Sequence, residues 1–350
     1  MKSALYQQDV AATAALALPW DKLQGKTILI TGASGLIGSF LIDVLMQQNH
    51  TQQRDCHIIA LGRSEAHAKA RFNEYWDDDH FTFVSHDVNL PLTDVAIADV
   101  DFVLHLASNT HPVAYANDPI GTITANIIGT QNLLEFAVAH HAQRFAFASS
   151  NEIYGENRGD VELFKEDYCG YIDSNTLRAG YPESKRAGEA LCQAYKRQKG
   201  LDVVIPRLTR SYGPTLARSD TKAMTQFIRN GVAREDIVLK SAGTQHYSYT
   251  YVADAVSGLL MVLLAGVNGE AYNIADQASN VMLKDVAAMI AKESGNQVVF
   301  ELPDAVEQAG FSKATKALLD PSKLQALGWH AQFDMATGLA HTLQILRAEA

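Results

Sequence analysis

The chain has 350 residues, 47% of them apolar and 19% charged, with a formal net charge of −10. At about 100–200 residues per domain, this is enough for two domains or one large α/β unit, and the apolar content argues against disordered, collagen-like and low-complexity chains. The acidic balance argues against a nucleic-acid-binding protein, which carries a basic field, but leaves room for a local pocket that takes an anionic ligand.

In chain order, Ala11–Leu18 has the outline of a signal-peptide core. Asp9 precedes it, however, and Pro19-Trp20-Asp21 stands where small residues would be cleaved, so a short amphipathic helix packed on the domain is expected. Lys26–Thr31 is a β-branched run that closes on glycines, as a buried strand entering a turn does. Leu36, Ile37, Phe40, Leu41, Val44 and Leu45 follow at helical spacing. Further strands are predicted at 57–61, 81–85, 101–106, 144–148 and 202–207, with long helices over 119–141 and from Pro182 onward. Strands and helices alternating at this spacing make a parallel sheet covered on both faces. Beyond Arg207, helical stretches at 223–234, 252–264, 283–293 and 336–347 alternate with short strand candidates at 237–240 and 271–274.

The expected architecture is α/β, a Rossmann-like doubly wound parallel sheet with a smaller C-terminal α/β substrate domain. Residues 1–24 read as a helical extension and 25–207 as a dinucleotide-binding domain. Residues 208–350 read mostly as a substrate domain, with about 245–275 returning to the first core. The three cysteines, Cys56, Cys169 and Cys192, are widely spaced and form no CxxC, so a reducing cytoplasm without disulfides is expected. No run is long enough to span a bilayer, and no metal-ligand spacing occurs.

Thr31-Gly32-Ala33-Ser34-Gly35-Leu36-Ile37-Gly38 puts three glycines where the first strand meets the first long helix. In such a turn Gly32 supplies free φ, Gly35 lets the backbone approach a pyrophosphate, and Gly38 lets helix and strand pack closely. The pyrophosphate then lies on the free N–H groups of the helix N-terminus. The second strand ends in Leu61-Gly62-Arg63-Ser64, without the acid that accepts hydrogen bonds from an NAD ribose. Arg63 and Ser64 suit a 2′-phosphate, which inclines the reading to NADP over NAD. Asp87 and Val88 stand where they edge an adenine; a turn-capping aspartate is the alternative.

Tyr181 and Lys185 lie four apart at the start of a helix, hence on one face, with Pro182 at its first position. A neighbouring ammonium and a cationic nicotinamide favour the phenolate, making Tyr181 a base for a substrate hydroxyl during hydride transfer. Ser150 follows the fifth strand, where ligands sit in open α/β sheets, and can hydrogen-bond the same oxygen. Extended alternation aims Glu152 to the same side.

With these residues in place, the chain resembles the extended short-chain dehydrogenase/reductases, the nucleotide-sugar epimerase/dehydratase group, from about Gly25 to Arg347. The matching motifs are TGASGLIG, His105–Ser108 (HLAS), Asn126–Thr130 (NIIGT), SSNEIYG, YPESK and Tyr212-Gly213-Pro214. The resemblance makes Ser150, Tyr181 and Lys185 the catalytic triad and Thr31–Gly38 the cofactor turn. Leu106, Ala107, Ser108 and Asn126 then line the cofactor or support its loops. Within the group the chain looks most like the UDP-glucuronate decarboxylases, through Glu166-Asp167-Tyr168, the stretch from Arg178 to Arg186, and Asn117-Asp118-Pro119 after HLAS.

Glu152 aligns with a glutamate that the decarboxylases share with the 4,6-dehydratases. By the same resemblance His111, Asn151, Arg178, Arg210 and Tyr247 face the substrate. Two departures stand out. Tyr247 occupies the usual place of a phosphate-binding arginine, and Arg210 the usual place of an asparagine, so Arg210 is expected to supply the diphosphate charge that Tyr247 cannot. Asn151 replaces the acid with which hexose 4,6-dehydratases expel the C6 hydroxyl. The resemblance implies an enzyme that oxidises C4 of a nucleotide sugar transiently, of decarboxylase or dehydratase type. The alternatives are 4-epimerisation and net reduction of a keto-sugar with free NADPH. It further implies a homodimer packed through the helices at 119–141 and 182–199.

Overall fold

A computed structural model describes residues 1–350 except 2, 94–96, 98, 111–114, 116, 218–219 and 302–314. Thr27–Thr31 (β1) is buried from its second residue on, as a β-branched run at the centre of a parallel sheet must be. It pairs in parallel with His57–Gly62 (β2) on one side and Phe102–His105 (β4) on the other. Phe81–Ser85 (β3) extends the sheet beyond β2. Arg144–Phe147 (β5), Val203–Leu208 (β7) and Ala271–Ile274 (β11) extend it beyond β4, giving the order β11-β7-β5-β4-β1-β2-β3. The short β6, Ser149–Ser150, continues β5 and pairs β7. Strand order reverses between β1 and β4, so the crevice at the carboxyl ends of these two strands is where a ligand is admitted.

Residues alternate between the two faces of the sheet. Ile28, Ile30, Ala146 and Val204 pack with Leu36–Gln52 (α2) and Val252–Ala265 (α7). Leu29, Val103, Phe145 and Val203 pack with Pro119–Ala139 (α4) and Gly180–Lys199 (α5). Between β2 and β3 runs a short helix, Glu65–Arg71 (α3), that the sequence pattern did not reveal.

A second, smaller sheet has the order β12-β10-β14, with β8 beside β10. Its strands are Arg210–Tyr212 (β8), His246–Tyr251 (β10), Asn280–Met282 (β12) and Lys316–Ala317 (β14). Of the stretch expected to return to the first core, α7 and β11 do so, whereas β10 belongs to this second sheet. Ile237–Leu239 (β9) pairs separately with Val298–Phe300 (β13). Ala223–Ala233 (α6), Leu283–Ser294 (α8) and Met335–Ala348 (α9) pack together around this half. One apolar cluster runs from Ile28 through Tyr249 to Leu343, so the two halves share a core.

The first helix, Ala4–Ala14 (α1), buries Tyr6, Asp9, Val10, Thr13 and Ala14, all on one face at helical spacing. Asp9 is 2% exposed. It accepts a 2.6 Å hydrogen bond from the Tyr251 hydroxyl and lies 2.9 Å from His341 Nδ1. The Tyr6 hydroxyl donates to Asp43, which Arg71 also engages. The helix is therefore fastened to β10, α9, α2 and α3 by buried polar groups as well as apolar ones. Asp9→Ala leaves the Tyr251 hydroxyl without its acceptor and should lower unfolding stability by about 2 kcal/mol. The check is the denaturant midpoint at constant slope; a change under about 0.5 kcal/mol would show that the buried carboxylate does not fasten the helix.

Candidate active site

Gly32 has φ +66, and a Cβ there would stand 2.8 Å from the backbone nitrogen of Ala107. At Gly38 a Cβ would stand 2.5 Å from the Gly32 carbonyl oxygen. Only glycine lets the turn fold this tightly between β1 and the segment after β4. Thr31 Oγ1 ties the two together, 2.8 Å from His105 Nδ1 and accepting the Ala107 N–H at 3.1 Å. Gly35 precedes α2 and offers no side chain to cap it, so the N–H groups of Leu36, Ile37 and Gly38 are left for an anion. Ser34 is part-buried beside them, and Leu36 and Ile37 pack against the core. Thr215 Oγ1 donates to the Leu36 carbonyl at 2.8 Å, joining the second half to this turn. The turn thus fits the pyrophosphate of a dinucleotide.

The end of β2 differs from expectation in part. Ser64 caps α3, accepting the His67 N–H at 3.3 Å, so its hydroxyl is already engaged. Arg63 is exposed and its guanidinium is unpaired among the described residues. Asp87 caps its own turn by accepting the Asn89 N–H at 2.9 Å. Val88 is core, seated where a Cβ on Gly129 would meet it at 2.9 Å, so its side chain serves packing. Leu106, Ala107 and Ser108 are part-buried along the segment after β4. His111 lies outside the described residues.

Ser150, 8% exposed, ends β6 and caps a 3₁₀ turn over Asn151–Tyr154, accepting the Glu152 N–H at 3.2 Å. Glu152 is therefore brought round by a turn and not by extended alternation; the serine that caps the turn is what bends the chain. Asn151 is buried in the same turn. A 3₁₀ turn at Leu177–Ala179 leads into α5, which begins at Gly180, so Pro182 is its third residue and not its first. The missing N–H still falls among the four that lack intrahelical partners.

The Ser150 hydroxyl is close enough to the Tyr181 phenol to pull its pKa down. Lys185 is 3% exposed, donates to the Ala148 carbonyl at 2.7 Å and stands 4.7 Å over the Phe147 ring. Asn126 donates to Ser184 Oγ at 3.0 Å, pinning α4 to α5, and its buried Oδ1 has no acceptor duty.

Burial dominates the electrostatics of the site without its cofactor. Burial, and then the charge of Glu152, push the Tyr181 phenol up, while Ser150 and Arg178 pull it down less strongly. Lys185 Nζ stands 6.0 Å from the centre of the Tyr181 ring, and burial lowers the lysine itself to about 7. Burial also opposes the charge of Glu152, yet Arg178, followed by Arg210 and Lys222, holds its carboxyl below the usual range.

Arg178 Nη2 donates to Glu152 Oε1 at 2.7 Å. Its guanidinium lies 4.7 Å over the Tyr115 ring, and Tyr115 lies 5.1 Å from the Tyr181 ring. Arg210, on β8, lies 3.4 Å over the ring of Tyr247, on the neighbouring β10. Sequence reasoning missed Tyr115 and Lys222. Neither stands in a periodic pattern, and both reach the site only through the fold.

The model of the NAD dependent epimerase/dehydratase family matches residues 28–275. The chain belongs to this family. Among curated relatives, this epimerase/dehydratase is 30% identical over 328 residues to UDP-glucuronic acid decarboxylase 1 of Danio rerio, covering 93% of this chain and 73% of the relative. It is 31% identical to UDP-glucuronic acid decarboxylase 6 of Arabidopsis thaliana, covering 89% and 86%. Among solved structures, dTDP-glucose 4,6-dehydratase from Streptomyces venezuelae aligns with TM-score 0.79 at 25% identity, over 92% of this chain and 97% of that one. UDP-glucuronic acid 4-epimerase from Bacillus cereus aligns with TM-score 0.77 at 24% identity, covering 93% and 100%, a likeness of fold. The family is that of NAD-dependent enzymes, so NAD is the cofactor of this epimerase/dehydratase.

Burial of Lys185 has a measurable consequence. Its lowered pKa means that the folded chain holds this proton less tightly than the unfolded one between about 7 and 10.5, so stability rises with pH across that window. Cofactor-free wild type should therefore gain on Lys185→Met as pH is raised, read as the difference in denaturant midpoint. Parallel pH profiles would show that the ammonium is not desolvated.

Proposed function

We propose that the chain is a nucleotide-sugar lyase that removes carbon dioxide from a UDP-hexuronate by way of transient C4 oxidation. The observation that carries the reading is the convergence of Ser150, Tyr181, Glu152 and Arg178 at the carboxyl end of the sheet, opposite the glycine turn. The decarboxylase relatives, 30–31% identical over most of the chain, support the substrate class. Residues 25–207 build most of the cofactor half and the later residues most of the substrate half.

The turn Thr31–Gly38 would hold NAD, which would supply a reversible hydride acceptor for C4. With the cofactor bound, the cationic nicotinamide would favour the Tyr181 phenolate, which takes the C4 hydroxyl proton while Ser150 holds the same oxygen. Lys185, held near neutrality by burial until negative charge develops beside it, stands over the Tyr181 ring and stabilises the phenolate, with Asn126 bracing the helix beneath it. A 4-keto group makes the C6 carboxylate a β-keto acid: the C5–C6 bond breaks, its electron pair forms a C4 enolate as carbon dioxide leaves, and a proton taken up at C5 restores the 4-keto group before C4 is reduced. Glu152 lies on the C5 side of this chemistry. Asn151 is a poor proton donor, which weighs against 4,6-dehydration. Arg210 holds the diphosphate, with Tyr247 as its platform, and a buried Nη1 without an acceptor is free to do so. His111 is assigned to the substrate by resemblance. The three free cysteines fit a cytoplasmic setting, and among the described residues no helix is long and apolar enough to cross a membrane.

Mass spectrometry after incubation with UDP-, dTDP-, GDP- and CDP-sugars tests the reading. Loss of carbon dioxide from UDP-glucuronate is expected, with cofactor copurifying, and Tyr181→Phe should cost about 10²-fold or more in kcat. Release of water, or an isomer of unchanged mass, would overturn it in favour of dehydration or 4-epimerisation; net reduction by free NADPH would favour a keto-sugar reductase. Arg210→Ala should weaken UDP binding tenfold or more, and unchanged affinity removes its assigned role. A homodimer is proposed through α4, whose outer side exposes Ile120 (74%), Ile123 (37%) and Ile128 (43%) beside Leu177 (73%). Sedimentation should find a dimer at micromolar concentration and a monomer for Ile120→Asp.

A further inference from the structure

Arg178 has more hydrogen-bonding capacity than its surroundings use. A guanidinium carries five N–H donors in a rigid plane. One is spent on Glu152 at 2.7 Å, and Nε is buried with no acceptor among the described residues. The face of the group is fixed on Tyr115, so its edges cannot swing freely to find another partner. Tyr115 in turn lies against Tyr181, which places the guanidinium one ring away from the phenol that meets C4. The two members of the ion pair are 22% and 23% exposed, so a ligand in the cleft can reach both.

We infer that Arg178 reads the oxidation state of the sugar's C6 atom: a C6 carboxylate takes up the spare edge of the guanidinium and competes with Glu152 for it, while a C6 hydroxymethyl group leaves the Arg178–Glu152 pair closed. The inference rests on the hexuronate reading above. Its physical basis is the ranking of acceptors. A carboxylate offers two charged oxygens that match the guanidinium fork, whereas a neutral hydroxyl offers one weaker lone-pair site and cannot displace an existing carboxylate. The anionic sugar would approach Glu152 with like charge. That approach is tolerable only because Arg178, Arg210 and Lys222 all act on this one carboxylate. Arg178 is thus a specificity-determining residue, and Glu152 is the internal occupant that the correct substrate must loosen.

Competition predicts a sign that a merely structural ion pair does not. In NAD-loaded enzyme silenced by Tyr181→Phe, calorimetry should show UDP-glucuronate binding tenfold or more tighter than UDP-glucose. Adding Arg178→Met should bring that ratio close to one. Adding Glu152→Gln instead should tighten UDP-glucuronate about fivefold and leave UDP-glucose unchanged, and the gain should vanish when both are combined. An unchanged ratio in Arg178→Met, or equal weakening of both ligands by Glu152→Gln, overturns the inference. If Arg178→Met does not fold, Arg178→Lys must give an intermediate ratio; a ratio at the unsubstituted level overturns it equally. Failure of the two readings is distinguishable. A wild-type enzyme that prefers UDP-glucuronate through Arg178 but releases no carbon dioxide refutes the lyase and keeps the reader. One that releases carbon dioxide with the preference intact in Arg178→Met refutes the reader and keeps the lyase.

Discussion

The reversal of strand order between β1 and β4 is the constraint on which the molecule's chemistry depends. At that point two successive crossovers leave the sheet in opposite directions, and a crevice opens above the strand ends. The crevice is only as deep as the turn after β1 is tight. That tightness is set by the contact of Gly32 with the backbone of Ala107, clamped by Thr31 and His105. The other groups of the site are arranged around this fixed floor. Ser150 stands at the end of the neighbouring strand, Tyr181 and Lys185 lie on the helix that covers it, and Arg210 is brought over from the second sheet.

The charges follow a related logic. The chain is acidic as a whole, with a net charge of −10. Its site gathers cations around one carboxylate and one phenol. Burial raises the phenol and lowers the lysine, so without ligands both titratable partners of the family triad are held toward their neutral forms. Such a pocket is poised for charge that arrives with its ligands, and neutrality at rest spares the fold the cost of carrying buried ions unpaired.

Much of this was legible in the residues. The parallel sheet came from β-branched runs separated by apolar periodicity, and the glycine turn from its place between the first strand and helix. Ser150, Tyr181 and Lys185 came from strand-end and i,i+4 positions. The second sheet was not legible because His246–Tyr251 alternates histidine, serine, threonine and tyrosine, yet is buried from its second residue on. Its polar groups are satisfied by partners remote in sequence, such as Asp9 for Tyr251 and Asn280 for Ser248. Glu152 was visible as a carboxylate, but its partner lies 26 residues away on another turn, and no local spacing encodes that pair. The exchange of arginine for tyrosine between β8 and β10 was visible as two separate departures. Only the parallel pairing of those strands shows that Arg210 and Tyr247 are stacked on each other.

The bond that joins Asp9 to His341 spans 332 residues. Until α9 is in place the first helix is held by its apolar face and by the contacts of Tyr6 with Asp43 and Arg71, and Asp9 lacks one of its partners. The same carboxylate orients Tyr251 within β10, the strand that also carries Tyr247. The dinucleotide turn rests on contacts 74 and 76 residues apart, whereas the sugar side of the cleft also depends on contacts of α1 with β10 and α9, 242 and 332 residues apart. Separations of this length make the sugar side of the cleft the part of the site that depends most on long-range contacts.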